Sequence, residues 1–160
     1  MDEKPVPVPN CPEGYRVSDH VPMVHVVDVD KSVEFYALLG FSCDSRFGGP
    51  SGVTNWASLS SGKARIMFAR ASGAIDATQQ AVLFYMYSRD VMAMRMHLLK
   101  NGLVDGGRSP SDESVAEQRS TPVPDRNAVF RPIFPFYMEL GEIRIHDPDG
   151  YCILVGQMER

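Results

Sequence analysis

VPMVHVVDVDKSVEFYALLG (21–40) runs an alternating apolar segment straight into a helical one, and that junction decides how the chain folds. Val24 and Val26 fall on one side of the first run, with Val21, Met23 and His25 on the other, the period-2 pattern of a strand. Asp30 is then the expected N-cap, KSVEFYALL the helix and Gly40 its stop. Three further strand-like runs follow: SCDSRF (42–47), TNWASLS (54–60) and KARIMFA (63–69). The glycine-rich FGGPSG (47–52) and Ser61-Gly62 separate them as turns. The order is β-α-β-β-β.

The second half repeats that order. VLFYMYS (82–88) reads as a strand, RDVMAMRMHLLK (89–100) as a helix and Asn101-Gly102 as its end. Segments near 128–134 and 137–146 read as strands, DPDG (147–150) as a tight turn and YCILVG (151–156) as the last strand. Asp28 to Gly40 and Asp90 to Gly102 span the same 12 residues. The predicted class is therefore α+β, with two βαβββ modules at about 20–78 and 79–160. A Pro/Ser-rich loop, about 105–128, interrupts the second, and Pro5, Pro7, Pro9 and Pro12 predict an extended arm over 1–19.

Alternation assigns the faces. Ala64, Ile66 and Phe68 oppose Lys63, Arg65 and Met67; Val82, Phe84 and Met86 oppose Leu83, Tyr85 and Tyr87. In the last strand Tyr151, Ile153 and Val155 oppose Cys152, Leu154 and Gly156. One face of each suits packing under a helix. The opposite faces are apolar with polar handles, which suits a cleft or an interface better than open water.

Composition narrows the function classes. At 160 residues, with 16 Lys+Arg against 20 Asp+Glu and a net charge of −4, nothing suggests a nucleic-acid partner. No apolar run approaches membrane-spanning length. The opening MDEKPVPVPN lacks the basic and apolar regions of a secretory signal, so a cytoplasmic location is expected. Cys11, Cys43 and Cys152 are too few and too dispersed for a disulfide framework or a zinc knuckle. GxSxG, P-loop, GxGxxG and HExxH patterns are all absent.

Three segments carry a family likeness. VVDVDKSVEFYALLGF (26–41), SLSSGKARIMF (58–68) and HDPDGYCILVG (146–156) resemble the opening helix, middle hairpin and closing hairpin of the vicinal-oxygen-chelate superfamily. That superfamily includes glyoxalase I, bleomycin-resistance proteins and extradiol dioxygenases. The likeness implies paired βαβββ modules forming a cupped mixed sheet, completed as a homodimer. Catalytic members hold a divalent metal through one residue on each of four strands. Those positions fall here on Val21, Arg65 or Met67, Leu83 and Leu154, none of which suits a metal ion. His20 and Glu159 lie near two of these places but out of register. The resemblance therefore implies a metal-independent, bleomycin-resistance-type binder of an aromatic or drug-like compound, with no cofactor and no catalytic residue.

The expected ligand-facing set is Met23, His25, Trp56, Arg65, Met67, Tyr85, Tyr87, Arg144 and Leu154. Trp56 offers a stacking surface with one N–H donor, the tyrosines amphipathic walls, and Arg65 a partner for an anionic or carbonyl group. Glu142, Arg144 and His146 share a face turned to the cleft or to solvent, and solvent is the favoured environment. Met92, Met94 and Met96 are expected in packing, while Arg95 falls within the apolar arc of its helix without an account. Two alternatives stand beside the binder. One is a metal-dependent lyase, dioxygenase or transferase using His25 with His146 and Glu139 or Glu142. The other is a partner-binding module docking through the arm and the loop.

Overall fold

In the computed structural model, residues 11–79, 81–112 and 122–158 are described. Residues 1–10 of the arm, 113–121 of the predicted loop, and Glu159 lie outside the described residues. The first half runs β1 (Met23–Val26), α1 (Val29–Leu38), β2 (Ser42–Gly48), β3 (Thr54–Ser61) and β4 (Ala64–Arg70). The second runs β5 (Phe84–Ser88), α2 (Val91–Lys100), β6 (Val104–Asp105), β7 (Ala128–Val129), β8 (Glu142–His146) and β9 (Cys152–Gln157). Two mixed sheets result, ordered β1-β4-β3-β2 and β5-β9-β8-β7-β6. Each winds the same way: the first strand pairs parallel with the last, and the last pairs antiparallel with its predecessor. The α+β class expected from the sequence is the one observed.

Each helix start is decided by an aspartate. Asp28, not Asp30, caps α1: its backbone is extended and its carboxylate accepts from the Lys31 N–H at 3.1 Å. Asp30 lies inside the first turn, where it bonds the Arg46 guanidinium at 2.9 Å and the Thr54 hydroxyl. Asp90 caps α2 likewise, accepting from the Ala93 N–H at 2.9 Å, so that helix begins at Val91 rather than 89.

Helix α1 packs across β2, β3 and β4, and α2 across β7, β8 and β9. The faces they cover are the aliphatic ones: Val24, Val26, Ile66, Phe68, Ile143, Ile145, Ile153 and Val155 are all buried. Burying them is the main favourable term in folding. Of the three helical methionines only Met94 packs against the core; Met92 and Met96 are exposed, because Val91 and Leu98 define the inward side of α2.

The expected strands 128–134 and 137–146 are shorter than their hydrophobicity suggested. Pro132 and Pro135 have no N–H for a ladder, so between β7 and β8 only an isolated bridge from Ile133 to Glu142 persists. A two-residue strand, β6, does follow α2 and pairs parallel with β7. Arg95 finds its role here: it donates Nε–H to the Phe130 carbonyl at 3.2 Å and pairs with Asp105 at 2.8 Å, tying α2 to this edge.

The DPDG turn joins the halves. Asp149 accepts from the Val27 N–H at 3.2 Å, Asp147 from the Tyr36 hydroxyl at 3.1 Å, and the Tyr151 hydroxyl donates to the His25 carbonyl at 2.7 Å. One apolar cluster runs through both modules behind this seam. On the first sheet the face turned away from the helix remains open at Met23, His25 and Phe47.

Candidate functional site

On the first sheet, register brings His25, Ala69, Trp56 and Phe47 into one row across all four strands. The neighbouring row is Met23, Met67, Ser58 and Ser45. These residues face away from Val24, Val26, Ala57, Leu59, Ile66 and Phe68, which are buried under α1. Met23 and Phe47 stay 60% and 66% exposed. His25 is exposed and therefore not a core histidine. Arg65, expected to meet a ligand, instead points its guanidinium to Asp19 at the surface.

The second sheet sets Tyr85, Leu154 and Arg144 in one row and Tyr87, Gly156 and Glu142 in the next. Tyr85 and Tyr87 meet edge to face, their ring centroids 5.3 Å apart. The Tyr85 hydroxyl leans over Gly156 to donate to Glu142 Oε2 at 2.6 Å. A Cβ at position 156 would sit 2.8 Å from that hydroxyl and 2.6 Å from Met138 Cε, so only glycine leaves the crossing clear.

Glu142 and His146 were expected in solvent, yet they are 2% and 6% exposed. Tertiary chain segments cover them. The carbonyl of Pro124 lies 2.8 Å from His146 Nδ1, and Arg144 donates Nε–H to His146 Nε2 at 2.9 Å. Accepting from Arg144 at Nε2 leaves Nδ1 to donate to Pro124, which fixes the tautomer. Burial, offset in part by that carbonyl, holds the imidazole pKa below its ordinary value. Tyr137 approaches Glu142 from the 130–141 segment; burial and the carboxylate's charge raise its phenol pKa. Tyr85 is raised for the same two causes, burial first and then its bond to Glu142. Neither Tyr137 nor Met138 carries a sequence signal for this role, because their segment reads as plain strand.

Two clefts follow the seam between the modules. One, of about 580 Å³, is lined by Met23, His25, residues 71–76, Val82, Phe84 and Tyr151. Another, of about 330 Å³, is lined by Leu39, Phe41, Lys63, Tyr85, Tyr87, Met94 and Met158 among others. The nine expected residues are thus divided. Met23 and His25 meet the first cleft, Tyr85 and Tyr87 the second, and Trp56, Arg65, Met67, Arg144 and Leu154 line neither.

A divalent metal does not suit the four positions that the resemblance singles out. Val21, Met67, Leu83 and Leu154 supply no carboxylate, imidazole or thiolate, and Arg65 is held by Asp19. Among the described residues no three His, Cys, Asp or Glu side chains converge elsewhere. His25 lies on the first sheet and His146 on the second, where its ring is bonded to Arg144 and Pro124. Cys152 is buried, and burial raises its thiol pKa, the reverse of nucleophile activation.

Neither a family model nor a curated protein matches the sequence. Solved structures do share its fold. It is similar to a bleomycin resistance determinant encoded on the transposon Tn5, at 18% identity and TM-score 0.61, over 90% of this chain and 100% of that one. A bleomycin-binding protein complexed with bleomycin aligns at 19% identity and TM-score 0.60, over 89% and 100%. A possible glyoxalase from Bacillus cereus aligns at 12% identity and TM-score 0.51, over 86% and 97%.

Proposed function

We propose that this chain, built on the vicinal-oxygen-chelate fold of bleomycin-resistance and glyoxalase-like proteins, is a metal-independent binder that sequesters an aromatic or drug-like compound. The observation that carries this reading is the character of the open sheet faces. Phe47, Met23 and Tyr87 are all more than half exposed, although they lie on sheets whose other faces carry the buried core residues Val24, Phe68 and Ile153. Apolar and aromatic side chains concentrated on such a face mark a ligand or interface surface. Similarity in fold to a bleomycin resistance determinant and to a bleomycin-binding protein complexed with bleomycin favours a small molecule.

Each chain offers two half-cups on separate sheets. A second copy, placing its second-module face over the first-module face of its partner, would close two equivalent cups about a two-fold axis. Trp56 and His25 would then face Tyr85 and Leu154 across a ligand. The donor-poor family positions favour binding over metal-assisted turnover. Three free cysteines suit a reducing cytoplasm.

The test is titration of the lone tryptophan, Trp56, with bleomycin and a panel of planar heterocycles, alongside sedimentation of the free protein. Saturable quenching and a dimer are the expected results. No quenching by any compound would sink the reading. Stoichiometric zinc, nickel, manganese or iron in protein purified without chelator would overturn metal independence.

A further inference from the structure

We infer that the cleft at the outer edge of β5 is a second binding site, which takes a small apolar molecule ending in a carboxylate and pairs that acid group with Lys63. Met23, His25 and Trp56 do not line this cleft, so the inference goes beyond the binding function proposed above.

The internal repeat explains why a cleft lies here. The shift that carries Asp28 to Asp90 also carries Met23 to Tyr85, and their strand partners are Met67 and Leu154. Counted back from those partners, Ser60-Ser61-Gly62-Lys63 is the counterpart of the DPDG turn, and Ala64 of Tyr151. In the second module that turn is latched to the first: Asp147 meets Tyr36, Asp149 the Val27 N–H, and the Tyr151 hydroxyl the His25 carbonyl. The counterpart turn has no carboxylate to reach across, and a methyl group stands in the place of the Tyr151 ring. Its junction with the other module is left as a cleft of about 330 Å³, to which Lys63, the counterpart of Gly150, brings an ammonium.

Charge and lining chemistry then select the ligand. Lys63 is the one charged residue among the described residues that line the cleft, and it takes part in none of their ion pairs. Gly62, at φ +57°, closes a tight turn between the paired Ser61 and Ala64, which fixes the backbone that presents Lys63. Carboxylates close by in the chain are occupied: Asp44 accepts from the Ser60 hydroxyl and Asp90 from the Ala93 N–H. Glu142 lies on β8, two strands in from this edge, where it is buried against the Tyr85 hydroxyl and shares its strand with Arg144. Leu39, Phe41, Met86 and Met94 make most of the remaining wall apolar, and the Ser61 and Tyr87 hydroxyls add neutral donors. Such walls bury an apolar body whatever its head group. The ammonium favours an acid over an alcohol of the same shape.

Octanoate and octanol share an alkyl chain and differ in head group, so calorimetry of both on the full chain near neutral pH tests the assignment. Octanoate is expected to bind at least about tenfold more tightly, the gain of one charge-assisted hydrogen bond. K63Q should bring the ratio close to one, whereas K31Q, at an exposed helix position, should leave it unchanged and so control for net charge. Saturating octanoate should also shield the Lys63 amine of the wild type from acetylation, read by mass spectrometry. Equal binding of both probes, or no binding of octanoate, would overturn the inference without recourse to a variant. A preference that survives K63Q, or acetylation of Lys63 at the same rate with and without octanoate, would overturn it too. Trp56 does not line this cleft, so the binding function read through that tryptophan stands or falls separately.

Discussion

Tyr36 and Asp147 stand 111 residues apart, yet the Tyr36 hydroxyl donates to Asp147 Oδ2 at 3.1 Å inside the seam that joins the two modules. The other carboxylate oxygen accepts from the backbone N–H groups of Asp149 and Tyr151, at 2.9 Å each. Burial outweighs these donors, and the Asp147 pKa is pushed up to about 6. The Tyr36 phenol is raised well above its ordinary value, by burial first and then by the Asp147 charge. This pairing closes the turn of one module onto the helix of the other.

Stability should therefore fall as pH rises through this carboxyl's range. The folded protein holds the Asp147 proton up to about pH 6, above the ordinary carboxyl value of 3.8. The group's contribution is complete below the ordinary value and is lost as pH passes 6, a change on the order of 3 kcal/mol. Asp149, whose pKa is also raised by burial, acts in the same sense. Urea denaturation across this range should show the decline, and D147N should flatten it. An identical slope in D147N would refute the assignment.

Removing the Tyr36 hydroxyl should cost about 1–3 kcal/mol, the penalty of leaving a buried acceptor short of a donor. Because the lost bond favours the charged carboxylate, Y36F should destabilise more at high pH than at low. Denaturation midpoints on either side of the Asp147 transition would show the difference.

Gly156→Ala should break the Tyr85–Glu142 bond without unfolding the chain. Its Cβ would lie within 2.8 Å of the Tyr85 hydroxyl and 2.6 Å of Met138 Cε, both at the ends of side chains that can swing away. The expected signature is a lowered Tyr85 titration, weaker ligand affinity and a stability loss of about 1–3 kcal/mol, because the buried Glu142 carboxylate loses a donor. Unchanged tyrosine titration would contradict the crossing geometry.

Replacing Arg95 by Met should keep the packing of its stem and remove the charge. The guanidinium serves the Phe130 carbonyl and Asp105 together, so about 1–3 kcal/mol of stability should be lost. Asp105 is held below its ordinary pKa chiefly by the Gly107 N–H, with Arg95 adding to it; R95M should raise it only in part. Carboxylate chemical shifts followed by pH titration would resolve that step.

Much of the fold is legible because its determinants are local. Side chains alternate across a strand whatever surrounds it, so the packed faces of 23–26, 64–70, 84–88 and 152–157 follow directly from the residues. The repeat is legible for the same reason, through two aspartate-to-glycine intervals of 12 residues. Choosing between Asp28 and Asp30 as a cap is less local. It depends on where the backbone leaves the extended region, and on Arg46 and Thr54 arriving to occupy Asp30.

The site was legible only in pieces. Alternation places Tyr85, Tyr87 and Leu154 on one open face, and Met23, His25 and Trp56 on another, but says nothing of what roofs each strand. Glu142 and His146 look like solvent-facing residues because partners that bury them lie far along the chain. Their burial comes from Tyr85, 57 residues away from Glu142, and from the Pro124 carbonyl, 22 residues from His146.

By itself, then, the sequence determined the β-α-β-β-β order of the first half and the packed side of its strands, matters of side-chain type and spacing. Only the tertiary structure decided that the DPDG turn docks on Tyr36, that Gly156 clears a path for Tyr85, and that a carboxylate lies beneath that tyrosine. Those are meetings between distant segments. Their free energy depends on burial and hydrogen-bond geometry that no local pattern encodes.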